Sequence, residues 1–267
     1  MFERIHEVVI EAGKTLVNKM NSNFTVETKA NDIDLVTEMD KKTEKYITEE
    51  IKKNFPDHAV FGEETVDEIG HDNMLEMLAS HPNLWVIDPI DGTTNYVHGL
   101  PGYTISVALY CKGEAAYGII YDPVAKEFFV AERGKGATLN GEAMCVSEHR
   151  YLSESLVSTG LPANNNSARY HGLEDYVKIT PVTRDIRILG SAALQCAYVA
   201  AGRLDAVWIW GVNIWDIAAG RLIVEEAGGS VYQLDGSEVR FEFPHFTCTN
   251  GKIDKEWKEI FASIHGF

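Results

Sequence analysis

Ile5, Val8, Val9, Ala12, Leu16 and Met20 recur three or four positions apart, the interval that places side chains on one face of a helix. A second helix is predicted to begin near Thr37, a candidate N-cap with Asp40 in the first turn. It carries Ile47 and Ile51 inward and ends at Phe55-Pro56-Asp57. The rhythm then shortens to strand-like runs at Ala59–Phe61 and Leu84–Asp88. Further along, Thr104–Cys111, Ala115–Tyr121 and Glu127–Ala131 are separated by Lys112-Gly113 and Asp122-Pro123. Those dipeptides are turn signals, so antiparallel strands are predicted there. Gly190–Gly202 reads as helix, Leu204–Trp210 as strand and Ile214–Ala227 as helix, stopped by Gly228-Gly229. Strands at Val231–Leu234 and Phe246–Thr249 and a helix from Asp254 complete the pattern. Strands and helices mix in no strict βαβ order, which predicts a layered α/β fold with mixed sheets.

Composition narrows the functional classes. The chain has 267 residues, 45% of them apolar, enough for a substantial core. Its net charge of −16 argues against nucleic acid as a partner, because phosphate backbones are held by clustered Lys and Arg. The first residues, MFERIHEVVIEAG, lack a basic segment followed by an apolar run, so no signal peptide is expected. No apolar stretch is long enough to cross a bilayer. Cys111, Cys145, Cys196 and Cys248 are scattered without metal-ligand spacing, and a cytoplasmic protein with reduced thiols is expected.

The segment that carries chemistry is Trp85-Val-Ile-Asp88-Pro-Ile-Asp91-Gly-Thr-Thr-Asn-Tyr96. An apolar strand runs into two carboxylates and a Gly-Thr-Thr turn. Crowded carboxylates repel one another unless cations or protons lie between them. Oxygen ligands of this kind select hard cations such as Mg²⁺, Mn²⁺ or Ca²⁺. Gly92 lets the backbone approach a ligand closely, and the N–H groups that follow it, with the Thr93 hydroxyl, could hold phosphate oxygens. The same residues could instead simply shape a turn. Two further features weigh against that: Glu63 and Glu64 follow the strand run ending Phe61-Gly62, and Asp216 opens a helix whose Ala218, Ala219 and Gly220 permit close packing. An Asp-x-Asp phosphoaspartate motif is excluded, because Asp88 lies three residues before Asp91 and Pro89 intervenes.

GEE, DPIDGTTNYVHG and WDIAAG, in that order, with KANDIDLVTEMD before them and GSAAL at Gly190–Leu194, resemble the inositol monophosphatase family over nearly the whole chain. The resemblance implies an αβαβα sandwich, the sugar-phosphatase fold. It also implies a single domain over 1–267, with an N-terminal half to about 140 and a C-terminal half beyond. It implies hydrolysis of a small phosphorylated substrate by a homodimer that uses two or three Mg²⁺, with Mn²⁺ possible. Glu63, Asp88 and the Ile90 carbonyl would bind one ion. Asp88, Asp91 and Asp216 would bind a second, and a third, weaker ion would lie near Glu63. Thr93, hydrogen-bonded to Asp40, would take a proton from the attacking water, and no phosphoenzyme would form. Ile90, Asp91, Gly92, Thr93, Gly190, Ser191, Ala192 and Asp216 would contact substrate, with free N–H groups at the Gly190-Ser191-Ala192 helix start. Lys29, Asp32 and Asp34 resemble the family's mobile loop. His98 is read as structural or surface, and Trp208-Ile209-Trp210 as core strand.

The match thins at one position. Animal-type members carry a glutamate for the inositol hydroxyls seven residues before the Trp-Asp aspartate; here that residue is Ile209. An isoleucine accepts no hydrogen bond, so a broader sugar- or nucleotide-phosphate phosphatase is expected. Some bacterial members of the family also act as non-catalytic partners in RNA polymerase antitermination complexes, which is the alternative reading. A metal- or phosphate-binding sensor is a third.

Overall fold

The computed structural model describes residues 2–20, 25–28, 35–66, 70–163, 165–240 and 245–267. Lys29, Asp32 and Asp34 lie outside these residues. Two sheets and three helical layers alternate, as expected for an αβαβα sandwich. The larger sheet has seven strands: β3 (Ala59–Gly62), β4 (Leu84–Asp91), β5 (Thr104–Cys111), β6 (Glu114–Asp122), β7 (Glu127–Glu132), β8 (Ala137–Leu139) and β9 (Glu142–Met144), in that spatial order. Only the β3–β4 pair is parallel; the remaining pairs are antiparallel. The smaller sheet is mixed. Its order is β11 (Asp185–Arg187), β10 (Leu156–Gly160), β12 (Ala206–Trp210), β14 (His245–Thr249) and β13 (Ser230–Tyr232). A short hairpin, β1 (Val26–Thr28) with β2 (Leu35–Thr37), lies apart from both sheets in pairing.

Side-chain periodicity decides what each layer covers. Helix Glu3–Lys19 buries Ile5, Val8, Val9, Ala12 and Leu16, and helix Glu38–Asn54 buries Ile47 and Ile51. These residues form one core with Trp85, Ile87, Ile105, Val107 and Ile119 on the large sheet. Helices Ala192–Ala200 and Ile214–Glu226 fill the space between the sheets, against Val86, Ala108 and Ile120 on one side and Val207, Phe246 and Cys248 on the other. Buried on almost all sides, these two helices are apolar nearly throughout. The Ala218-Ala219-Gly220 run allows the close approach expected of it: a Cβ on Gly118 would sit 3.1 Å from the Ala219 carbonyl oxygen, and one on Gly220 would sit 2.6 Å from the Cys196 Cβ. On the far face of the small sheet, Trp208, Trp257, Phe261 and Ile179 form a third core with helix Asp254–His265.

The predicted elements are present, with Thr37 as the N-cap of its helix and Asp40 completing a reciprocal capping pair. Several others gave no sequence signal: helices His71–Ser80 and Asn166–Ile179 and strands β8 to β11. No helix among the described residues is long and apolar enough to cross a membrane.

Candidate active site

All eight residues of β4 are buried, including Asp88 and Asp91. Along a regular strand, residues three apart face opposite sides of the sheet. Here Asp88 pairs with Ser106 and Asp91 with Thr104, so three steps of β4 match two of β5. That bulge, which contains Pro89 with its missing N–H, brings both carboxylates to one side. Asp216, in the first turn of helix Ile214–Glu226, comes from the layer between the sheets. Its Oδ2 accepts the Asn213 N–H at 2.6 Å. Oxygens of Asp88, Asp91 and Asp216 lie within 4.8 Å of one another.

Glu63 arrives by a different route. β3 runs parallel to β4, and the Glu63 N–H donates to the Ile87 carbonyl at 3.1 Å, which brings Glu63 to the end of β4 that bears Asp88. Buried Glu44 supports this turn by accepting the Glu64 N–H at 2.8 Å. A Cβ on Gly62 would lie 2.3 Å from Glu44 Oε2 and 2.9 Å from its Cγ, so a larger residue there would displace the Glu44 side chain. Glu44 was not identified from sequence, although it lies one helical turn after Asp40, on the same face.

Asp40 is also buried. Its Oδ2 accepts the Thr37 N–H at 2.8 Å and the Thr37 hydroxyl at 2.6 Å, while Oδ1 accepts the Thr93 hydroxyl at 3.2 Å. The same Thr93 oxygen lies 3.0 Å from the Ile90 carbonyl. Thr93 follows Gly92, whose φ of +100° belongs to the left-handed region; a Cβ there would stand 3.0 Å from the Gly102 carbonyl oxygen.

The start of helix Ala192–Ala200 differs from an open N-terminus. Its first N–H groups are engaged by Asp91: Ala192 donates to Oδ1 at 3.2 Å and Ala193 to Oδ2 at 2.6 Å, and the Ser191 hydroxyl donates to Oδ2 at 2.5 Å. Ser191 Oγ also accepts the Leu194 N–H. The N–H groups expected to be free for substrate instead help to hold a carboxylate, which suits the positive end of the helix dipole.

Electrostatics show what the cluster lacks. Burial, reinforced by Glu63, Asp91, Asp216 and Asp40, pushes the Asp88 carboxyl well above the usual carboxylate range. Burial also pushes Asp91 up to about 6, against the opposing pull of its hydrogen bonds from Ser191, Ala193 and Ala192. Ionised together, these groups need positive charge among them. The donors are carboxylate and carbonyl oxygens, which fit a hard divalent cation.

Two adjoining cavities open over the cluster. A smaller one, about 190 Å³, is lined by Glu63, Asp91, Gly92, Thr93, Asn213 and Asp216 among others. A larger one, about 440 Å³, shares Gly190, Gly211 and Asp216 with it and extends past Ser191, Ala192 and Ile209. Ile209 is thus in the core strand and at the cavity wall, whereas His98 is exposed. Sequence reading missed Pro162, Ala163 and Arg169 in the larger cavity; the local cue was the Gly160-Leu-Pro break.

Comparison with known proteins follows the same lines. The family model described as "Inositol monophosphatase family" matches residues 2–265. A Thermotoga maritima protein named "Fructose-1,6-bisphosphatase/inositol-1-monophosphatase" is 43% identical over 239 residues, 90% of this chain and 87% of its own. A Pseudomonas aeruginosa protein named "Nus factor SuhB" is 41% identical over 226 residues, 83% of this chain and 80% of its own. Among solved structures, the extragenic suppressor protein suhB from Bartonella henselae superposes with a TM-score of 0.88 at 34% identity, covering 97% of each chain.

Proposed function

Because the chain belongs to the inositol monophosphatase family, we propose that it is a Mg²⁺-dependent phosphatase acting on small phosphomonoesters. The convergence of Asp88, Asp91 and Asp216 carries this reading. Glu63, Asp88, the Ile90 carbonyl, Asp91 and Asp216 would hold two or three cations. Mn²⁺ fits the same oxygen donors. The Ile90 carbonyl has two lone pairs, so accepting from Thr93 does not use it up. When bound, the cations neutralise and polarise the phosphate and acidify a water.

The protein's own residues handle the proton. Thr37 occupies Asp40 Oδ2 and leaves Oδ1 for Thr93. Thr93 takes a proton from the attacking water while its own passes toward Asp40, so one fixed carboxylate serves as the base through a hydroxyl. Water forms the new P–O bond in line as the ester oxygen leaves, and no side chain is phosphorylated. Gly92, Gly190, Ser191 and Ala192 shape the wall along which the leaving alcohol lies. Ile209 removes a hydrogen-bond acceptor from that wall and broadens the range of alcohols.

A homodimer in the cytoplasm is part of the proposal. Tyr170, Leu173 and Val177 form an exposed stripe on helix Asn166–Ile179 suited to a second copy. Light scattering of the purified protein tests it; a monomer at micromolar concentration refutes it.

Phosphate release should be measured with Mg²⁺ from inositol 1-phosphate, fructose 1,6-bisphosphate, NADP and 2′-AMP, for wild type and Asp91→Asn. Several substrates should be hydrolysed by the wild type alone. Exclusive turnover of inositol 1-phosphate would overturn the broad specificity. The Nus-factor relative supports a second reading, a non-catalytic partner of RNA polymerase. Background-level release from both proteins would favour it.

A further inference from the structure

The larger cavity contains a charge that hydrolysis of a neutral polyol phosphate does not use. Arg169 forms part of its wall, and no other residue lining either cavity is cationic. The residue is half-buried in the first turn of helix Asn166–Ile179. Among the described residues it has no carboxylate within ion-pair reach, unlike Arg4, Arg133, Arg187, Arg203 and Arg221; Arg150, Arg184 and Arg240 lack one too, but they are exposed and line neither cavity. In a chain with 40 acidic and 24 basic residues, Arg169 stands apart in being half-buried in a cavity wall with no acid in ion-pair reach. Its neighbours sharpen the contrast. Leu161, Ile188, Ile209 and Val212 line the same cavity, so an anion meeting the guanidinium there is only partly screened by water.

We propose that Arg169 makes this part of the cavity a subsite for a second phosphate on the leaving group. On this inference, which rests on the phosphatase reading above, the enzyme selects sugar bisphosphates over the corresponding monophosphates. The two ends of such a substrate meet opposite solutions to one electrostatic problem. The scissile phosphate goes to the carboxylate cluster, whose sign is reversed by cations. The second phosphate goes to a guanidinium whose planar fork matches phosphate oxygens. Water cleaves only the first ester bond, giving inorganic phosphate and a sugar alcohol that keeps the second phosphate. Ile209 belongs to the same design, since an acidic side chain at that position would repel the second phosphate.

The test uses a matched pair, fructose 1-phosphate and fructose 1,6-bisphosphate, with the purified full-length protein and Mg²⁺. Wild type should favour the bisphosphate in kcat/KM. In Arg169→Gln the ratio between the two substrates should fall by roughly 10- to 100-fold, the loss expected for one charge-assisted contact. Arg169→Lys should restore part of the ratio, and Ile209→Glu should lower it. The wild-type ratio should also fall as NaCl is raised. A ratio that Arg169→Gln leaves unchanged, or a wild type indifferent to the second phosphate, overturns the subsite. If wild type hydrolyses neither sugar, the phosphatase reading fails, and calorimetric Kd values for the same pair still decide the subsite. A preference for the bisphosphate that Arg169→Gln abolishes supports it; equal affinities refute it.

Discussion

Asp205 and Asp175, buried on the small-sheet side, and Asp88, buried at the active site, have opposite surroundings. Asp205, immediately before β12, is enclosed by donors: Ser147 Oγ, His149 Nδ1 at 2.9 Å, and the Leu156 N–H at 2.7 Å. Asp175 likewise accepts Trp210 Nε1 at 2.6 Å and lies 2.6 Å from His265 Nε2. Asp88, by contrast, accepts the Ile90 N–H at 3.1 Å and otherwise confronts Glu63, Asp91, Asp216 and Asp40. Residue type and burial are the same in both places. Asp205 and Asp175, met by donors, are structural ties, whereas Asp88, facing other carboxylates, is built for a partner from outside the chain; Asp91 combines the two, held by Ser191, Ala192 and Ala193 while it faces the same cluster. Function is legible in what the cluster fails to satisfy for itself.

Substitutions should divide along this line. The largest effect is expected for Asp88→Asn, which should lower phosphatase kcat/KM by at least about 1,000-fold, roughly 4 kcal/mol of barrier. Without added metal it should melt at the same temperature as wild type or higher, because it removes a repulsive charge. A lower Tm for metal-free Asp88→Asn would mean that the carboxylate is structural after all. Asp205→Ala should show the reverse. It strands several buried donors and should cost about 3 kcal/mol of folding stability, read from urea unfolding, while Mg²⁺-dependent turnover persists below the transition. Stability unchanged within error would erase the contrast.

A smaller effect should appear in the pH dependence of the metal-free protein. Asp91 is raised in the fold to about 6 from an ordinary 3.8. Its contribution to stability is therefore complete below pH 3.8 and is lost as pH rises through about 6, by at most about 3 kcal/mol. Metal-free wild type should thus lose stability between pH 4 and 6 relative to Asp91→Asn, and saturating Mg²⁺ should remove the difference. Parallel wild-type and variant curves without metal would contradict the environment described for Asp91.

What the sequence discloses depends on how local the signal is. Asp88-Pro-Ile-Asp91-Gly-Thr-Thr reads directly, because its turn chemistry and its carboxylates are contiguous. The bulge that turns Asp88 and Asp91 to one side does not, since it is a property of pairing with β5. The meeting of Glu63, Asp91 and Asp216 at one cavity came from family resemblance, because nothing in their spacing requires it. Helix Asn166–Ile179 escaped notice for a physical reason: Tyr170, Leu173 and Val177 are exposed while Gly172 and Asp175 are buried. Its larger apolar residues other than Ile179 thus mark no buried stripe, and Ala168 and Ile179 alone among the apolar ones are buried. Strands β8 and β9, at three residues each, are too short to show a period. The occupied N-terminus of helix Ala192–Ala200 was misread because Asp91, its acceptor, lies about 100 positions earlier in the chain.

The carboxylates that meet at the cavity come from opposite ends of the biosynthetic order. A ribosome releasing this chain delivers Glu63, Asp88 and Asp91 long before Asp216. Until helix Ile214–Glu226 docks, the nascent chain holds an incomplete chelator, and truncations that stop short of that helix should bind cations poorly. On the proposed metal-dependent reading, cation uptake would report that this helix has docked.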